Sequence, residues 1–279
     1  MTPLLASCLV LLAADAPGEV TLRHRFEPGQ VIRYAVANSS DITLQQSEST
    51  QSMSHSSDSL KRYVVESVNP DGSAVLELSI ESVAMRATDS EGTELFYDSR
   101  KGEAPPELVQ VAATVGPPVA AVTVTPRGEV TAVEDLLGLG TSEQQFTQSN
   151  NHTLVVVPES PVRVGSRWKQ PFEVAVRPDP KLTATTAVKC LRTYEVSAID
   201  ANRVTIAWRS IVLTPVSDPT IESQVAHLRL KGTIVFDHAT GRVVSRNGRV
   251  EAEVVGFEGP DTLMRKTVQT AETLQGTVR

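Results

Sequence analysis

Histidines are the first residues to weigh for metal or proton-transfer chemistry, and this chain has five: His24, His55, His152, His227 and His238. None pairs with another at metal-ligand spacing, and no H-E-x-x-H is present, so no metal site is expected. His227 and His238 can approach across a hairpin, but surface or turn positions account for them better. Serine is abundant, yet no G-x-S-x-G elbow marks one as a nucleophile with a base and an orienting group. Gly138-Leu139-Gly140 lacks the spacing of a phosphate-binding loop, and no cofactor is expected. Glu251 and Glu253 share one face of "RVEAEVVGF". A retaining glycosidase would need two carboxyls about 5 Å apart in a cleft with sugar-stacking aromatics. With aromatics at 4% of the chain, the alternation reads instead as a solvated strand face. No catalytic, metal-ligating or cofactor-binding residue is therefore expected.

The two cysteines divide between a leader and a strand. Residues 1–16 read as a signal peptide, with an apolar run from Leu4 to Ala14 and an Ala14-Asp15-Ala16 exit. The run is too short to span a bilayer, which takes about 20 residues. Cys8 follows Leu5-Ala6-Ser7 as in a bacterial lipobox, but apolar residues continue beyond it. Lipidation there is the alternative to cleavage at Ala16. Cys190 alternates with Val188 and Arg192 in "TTAVKCLRTYEV" and is expected to pack in a sheet rather than react. The expectation is an exported chain, periplasmic, outer-envelope or secreted, with no transmembrane span once mature. Net charge is −7, with both signs interspersed. That pattern predicts no concentrated basic surface and excludes nucleic acid as a partner.

The elements that must carry these residues are mostly strands. "QVIRYAVAN", "AVLELSI", "VTIAWRSIVL" and "HLRLKGTIVF" alternate with period two and are rich in β-branched residues. Two halves repeat one plan. "FEPGQVIRY", "RYVVESVNPDGSAVLELSI" and "VTVTPRGEVTAV" are answered by "VRVGSRW", "RTYEVSAIDANRVTIAWRSI" and "IVFDHATGRVVSRN". Gly29 leading to Tyr34 answers Gly165 leading to Trp168. Gly72 closes its turn where Asn202 closes the shorter one, and Gly128 matches Gly241, each at a position expected to need positive φ. The fold class is thus all-β with minor α: two similar antiparallel meanders, curved half-barrel sheets being one form they can take, with one short helix. The boundaries are 18–140 for the N-terminal half, 141–157 for the connecting segment and 158–275 for the C-terminal half. "PPELVQVAATVG" (105–116) is the helix candidate, with a Leu108, Val111, Ala112, Val115 stripe. The Ser/Gln/Thr-rich stretch 38–59 reads either as exposed strand ends around a tip or as a disordered loop, and "TLMRKTVQTAETLQ" as a last strand.

The phrase "PESPVRVGSRW" (158–168), with "FEPGQVIRY", "NPDGSAVLEL" and "TPRGEV", resembles a family of exported bacterial β-rich proteins carrying a P-x-x-P-V-x-V-G-x-x-W phrase. More distantly the pattern is similar to the lipoprotein-carrier half-barrel superfamily, in which a curved sheet wraps a helix. The resemblance implies a fold and brings no catalytic residue. Gly165 is expected to permit a sharp strand entry, and Trp168 to anchor that strand.

Aliphatic strand faces supply the one functional hint. Leu76, Leu78, Ile80, Leu228 and Leu230 can line a site for an apolar ligand, or fill an ordinary core. The expected function is an exported non-catalytic protein that binds an apolar small molecule or another cell-envelope component. A structural or adhesive envelope module is the alternative, and a hydrolase comes third.

Overall fold

The computed structural model describes residues 18–47, 49–138, 154–178, 185–257 and 259–278. The leader and most of the connecting segment lie outside them, as does His152. Period-two sequence becomes strand almost throughout, and 61% of the chain is β.

The strands of the first half are β1 (Val31–Gln46), β2 (Ser49–Val68), β3 (Ala74–Thr88), β4 (Glu94–Asp98), β5 (Pro118–Val124) and β6 (Val130–Asp135). Those of the second are β7 (Arg167–Val176), β8 (Thr186–Asp200), β9 (Arg203–Val212), β10 (Lys231–Asp237), β11 (Arg242–Val255) and β12 (Thr262–Val278). All twelve form one open antiparallel sheet in the order β6-β5-β3-β2-β1-β12-β11-β10-β9-β8-β7, with β4 beside β3. Each half is a meander, and β12 joins them by pairing with both β1 and β11.

The two meanders share their hydrogen-bond pattern. Gly29 N donates to Val65 O at 2.8 Å and Val65 N to Gln30 O at 2.9 Å; Gly165 N donates to Val196 O at 2.8 Å and Val196 N to Ser166 O at 3.0 Å. Register shifts fall between Val65 and Ser67 and again between Val196 and Ala198. They recur between Thr123 and Val124 and between Val235 and Phe236. This register sets Trp168 opposite Tyr194 as Ile32 stands opposite Tyr63. Trp168 therefore matches Ile32 in position rather than Tyr34. In the short turn the positive φ falls on Ala201 (32°), whereas Asn202 has none; Gly72 sits at 82° as expected.

One face of the sheet, here the inner face, carries the apolar residues. Tyr63, Val65, Leu76 and Val122 fill the first core, while Tyr194, Val196, Ile206 and Ile234 fill the second at matching register positions. Two extended straps, residues 20–26 and 154–162, cover the seam. They bridge each other at Val20 and Val162 and contribute Leu22, Leu154, Val155 and Val157 to the cores.

The helices differ from expectation. Residues 105–116 form only a 3₁₀ turn (Pro106–Leu108) and α1 (Val109–Ala113), with no buried residue. The anticipated stripe, Leu108, Val111, Ala112 and Val115, is half-buried, and Val115 bridges to Ile80 of β3. A second helix, α2 (Pro219–Val225), follows Asp218, whose carboxylate accepts from Thr220 N at 2.7 Å. Asp at the N-cap and Pro at the first helical position are the usual start signals. Val225 packs on Val176, Val188 and Cys190, and Ala226 on Val254 and Met264. The helix that packs on the C-terminal sheet is thus α2. The 38–59 stretch is the distal part of the β1–β2 hairpin, in unbroken register from Gln46–Ser49 upward.

Candidate functional site

On the outer face of the second half, antiparallel register gathers cations that the sequence scatters over some eighty positions. Lys169 stands opposite Thr193, Thr193 opposite Arg209, Arg209 opposite Lys231, and Lys231 opposite Arg249. These five residues lie in one line across β7 to β11, spanning about 19 Å at ordinary strand spacing. Lys169, Arg209, Lys231 and Arg249 are all exposed. Their strands alternate between core and solvent, so the side-chain period of two puts every one of them outward. Like charges directly opposite one another oppose pairing, yet Arg209, Lys231 and Arg249 occupy three consecutive strands. The expectation of no concentrated basic surface is corrected here: interspersed charge along the chain becomes a single-sign row once the strands are in register.

The row borders a depression of about 1030 Å³ whose lining includes Arg167, Lys169, Glu195, Arg209 and Lys231. Four cations thus meet one carboxylate, on a chain whose net charge is −7. The carboxylate is already engaged. Glu195 accepts from Arg167 Nη2 at 3.0 Å, which holds its pKa below the usual carboxylate value. Arg249 pairs with Glu251 at 2.6 Å, and Arg209 Nε donates to Thr193 Oγ1 at 3.4 Å. Among the described residues no acidic side chain pairs with Lys169 or Lys231. A second depression of about 690 Å³ shares Lys231 and runs along Arg229, Arg249 and Glu251.

The first half provides an internal comparison. By register Lys169 matches Arg33, and Ser82, opposite Leu60, matches Ile211, opposite Leu191; Glu81 is the extra residue of a bulge between Ile80 and Ser82. Glu81 accepts two 3.0 Å hydrogen bonds from Arg33 Nε and lies 3.7 Å from Arg62 Nε. In the first half the bulge carboxylate neutralises Arg33 and Arg62; the second half has no bulge there and carries Ile211, which is 40% exposed.

The residues singled out from sequence lie elsewhere. Leu76 and Leu78 are buried in the first core. Ile80 bridges to Val115 beside α1, Leu228 ends the 3₁₀ turn after α2, and Leu230 packs on the second core. None lines either large depression. Leu76 borders a gap of about 10 Å³ shared with His24, Tyr34 and Arg242, too small to take more than a single water. An apolar guest there would require these side chains to part. Gly29 and Gly165 open their strands. Gly128 and Gly241 sit where the straps cross the hairpin ends: an added Cβ would lie 2.4 Å from Val155 O at Gly128 and 2.6 Å from Arg23 O at Gly241. Tyr34 donates from its hydroxyl to Val243 O at 2.9 Å, tying β1 to β11. Trp168 stacks on Tyr194, with centroids 5.0 Å apart, and donates to Val156 O on the strap.

The chemistry-bearing residues are placed as follows. His24 is buried between Phe26 and Phe236, its Nε2 2.9 Å from Val155 O. Burial lowers its pKa to about 4, with Arg242 adding to that effect against the hydrogen bond. His238 sits exposed in a turn, bonded to Ala201 O. His227, expected at a surface or turn, lies half-buried in the 3₁₀ turn after α2, and desolvation, with Lys266 adding to it and the Gln224 backbone opposing it, lowers its pKa to about 4. Cys190 is buried and its thiol pKa is raised by desolvation. Glu251 and Glu253 are exposed and paired with Arg249 and Arg265. Sequence reading also missed the cations on the inner face. Arg246 lies 4.3 Å over the Trp208 ring, and desolvation brings its pKa to about 10. Arg242 lies over Phe26 and bonds Gln30.

No family model matches the chain, and no curated protein matches its sequence. Three solved structures align over most of it. DynF from the dynemicin biosynthesis pathway of Micromonospora chersina covers 98% of this chain and 92% of its own, at 10% identity and TM-score 0.22. The translocator domain of the autotransporter NalP from Neisseria meningitidis covers 89% of each chain, at 7% identity and TM-score 0.30. A DUF1329 family protein from Desulfovibrio piger ATCC 29098 covers 86% of this chain and 84% of its own, at 11% identity and TM-score 0.14. Scores this low carry no argument about architecture or activity. No helix among the described residues is long and apolar enough to cross a membrane.

Proposed function

We propose that the protein is an exported, non-catalytic binding protein of the cell envelope whose working surface is the outer face of the C-terminal half, where it takes an anionic component. The observation that supports this reading is the row Lys169, Arg209, Lys231 and Arg249, kept in register although its members repel one another. A fold selected for stability alone would intersperse acids, as the first half does with Glu81 at its bulge. An anion spread across three or more strands relieves the repulsion. Clustered charge also draws an oppositely charged partner to the surface before contact.

Titration with inorganic polyphosphate tests the reading. The wild-type chain binds, and Arg209→Glu with Lys231→Glu weakens binding about tenfold, equivalent to about 1.4 kcal/mol. Arg86→Glu, on the first half, leaves it unchanged. Absence of wild-type binding, or equal losses in both variants, contradicts the proposal.

A further inference from the structure

The outer face carries a second row beside the cations. Pro171 stands opposite Leu191 and Leu191 opposite Ile211, two residues along each strand from Lys169, Thr193 and Arg209. The two rows run parallel at about 7 Å, the rise of two strand residues. Leu213 lies just past the end of β9, two residues beyond Ile211 and level with the exposed Lys189 and Glu173, its N–H bonded to Lys189 O at 2.8 Å. Ile211 is 40% exposed and Leu213 50% exposed. Neither belongs to a buried core cluster, and the first half has Ser82 at the register position of Ile211.

Resting on the anion-binding reading above, we infer that the anionic component is the lipid surface of a bilayer. The cation row meets phosphate headgroups, and Ile211 and Leu213 enter the layer beneath them. Anionic headgroups and the start of their acyl chains present charge and apolar surface at adjacent depths, which is the order of the two rows. A soluble acidic glycan fits less well. It has no apolar layer to meet Ile211 and Leu213, and neither row offers an aromatic face for a sugar ring. Trp168, Tyr194 and Trp208 also border the depression, but Trp168 is held by Val156 O on the inner strap and Trp208 by Asn247 O. The depression beside Lys231 gives headgroups a seat between the strands' long side chains.

The test is co-sedimentation of the full chain with vesicles of phosphatidylcholine alone, and with vesicles containing about one third phosphatidylglycerol. The wild type binds the anionic vesicles only, and raising the salt to about 0.5 M releases it. Arg209→Glu with Lys231→Glu lowers vesicle binding about tenfold or more. Ile211→Ser with Leu213→Ser also lowers vesicle binding yet leaves polyphosphate binding at the wild-type level, which shows that this variant is folded. Polyphosphate binding without vesicle binding overturns the inference and leaves the anion-binding reading standing. Vesicle binding unaffected by the serine variant overturns it equally, because attachment through charge alone gives Ile211 and Leu213 no part in meeting the bilayer. Binding of neither probe removes the reading on which the inference rests.

Discussion

His24 shows how a single side chain can link the stability of this fold to pH. Its imidazole is enclosed by Phe26, Phe236, the Val155 carbonyl and the Arg242 guanidinium, and its folded pKa lies near 4 against about 6.5 when unfolded. The fold favours the neutral ring, so the unfolded chain binds the extra proton between those values. The contribution to stability is complete above about pH 6.5, declines as pH falls toward 4, and is worth about 3 kcal/mol over that window. Urea unfolding at pH 7, 5 and 4 checks this. The wild type loses stability across the series, and His24→Gln shows a shallower loss over the same interval. Identical pH slopes for the two proteins would show that the strap is not held by the neutral imidazole. His24 and His227 were visible in the sequence only as isolated histidines. What isolates them is burial, and burial depends on a strap and a helix whose placement no local pattern reveals. The cation row was hidden for a related reason. Each of "SRWKQ", "AWRSI", "RLKGT" and "NGRVE" shows an outward cation, but which cations become neighbours is decided by register across five strands.

At the scale of elements, the strands were the most legible part, because alternation of apolar and polar residues is itself the cause of a half-buried strand. The turn glycines were legible too, though only half of their role. Gly29 and Gly241 both have positive φ, 76° and 69°. An added Cβ at Gly29 meets open space, while at Gly241 it meets Arg23 O and Arg25 N at 2.6 Å. Gly29→Ala is therefore expected to cost about 1 kcal/mol, the conformational term alone. Gly241→Ala is expected to cost about 3 kcal/mol or more, because the strap backbone must also shift. Thermal unfolding of the two variants distinguishes these cases, and equal losses would mean that the strap does not press on the hairpin end. The helices were harder to place. Residues 105–116 carry an apolar stripe, which is half-buried beside β3, but only five of them, Val109–Ala113, hold the α-helical form. Asp218-Pro219 carried the start signal of α2, followed by only seven helical residues, too few for a periodic pattern to stand out from the surrounding Val and Ile.

In the whole molecule, two meanders of the same hydrogen-bond pattern lie side by side in one sheet, joined through β12. Their inner faces have stayed alike: Tyr63 and Tyr194, Val65 and Val196, and Val124 and Phe236 occupy matching positions in the two cores. Their outer faces have diverged. The first half neutralises Arg33 and Arg62 with Glu81, and the second exposes Ile211 beside a row of cations. Packing constrains one face in both halves, so a difference confined to the other points to what each surface meets. The repeated plan was readable from the turns, whereas the divergence required the register. The most direct measurement is amide hydrogen exchange of the full chain with and without polyphosphate. Added protection confined to β7–β11 is the predicted result. Protection on β1–β3, or none anywhere, would contradict the assignment of the C-terminal outer face as the surface through which this protein acts.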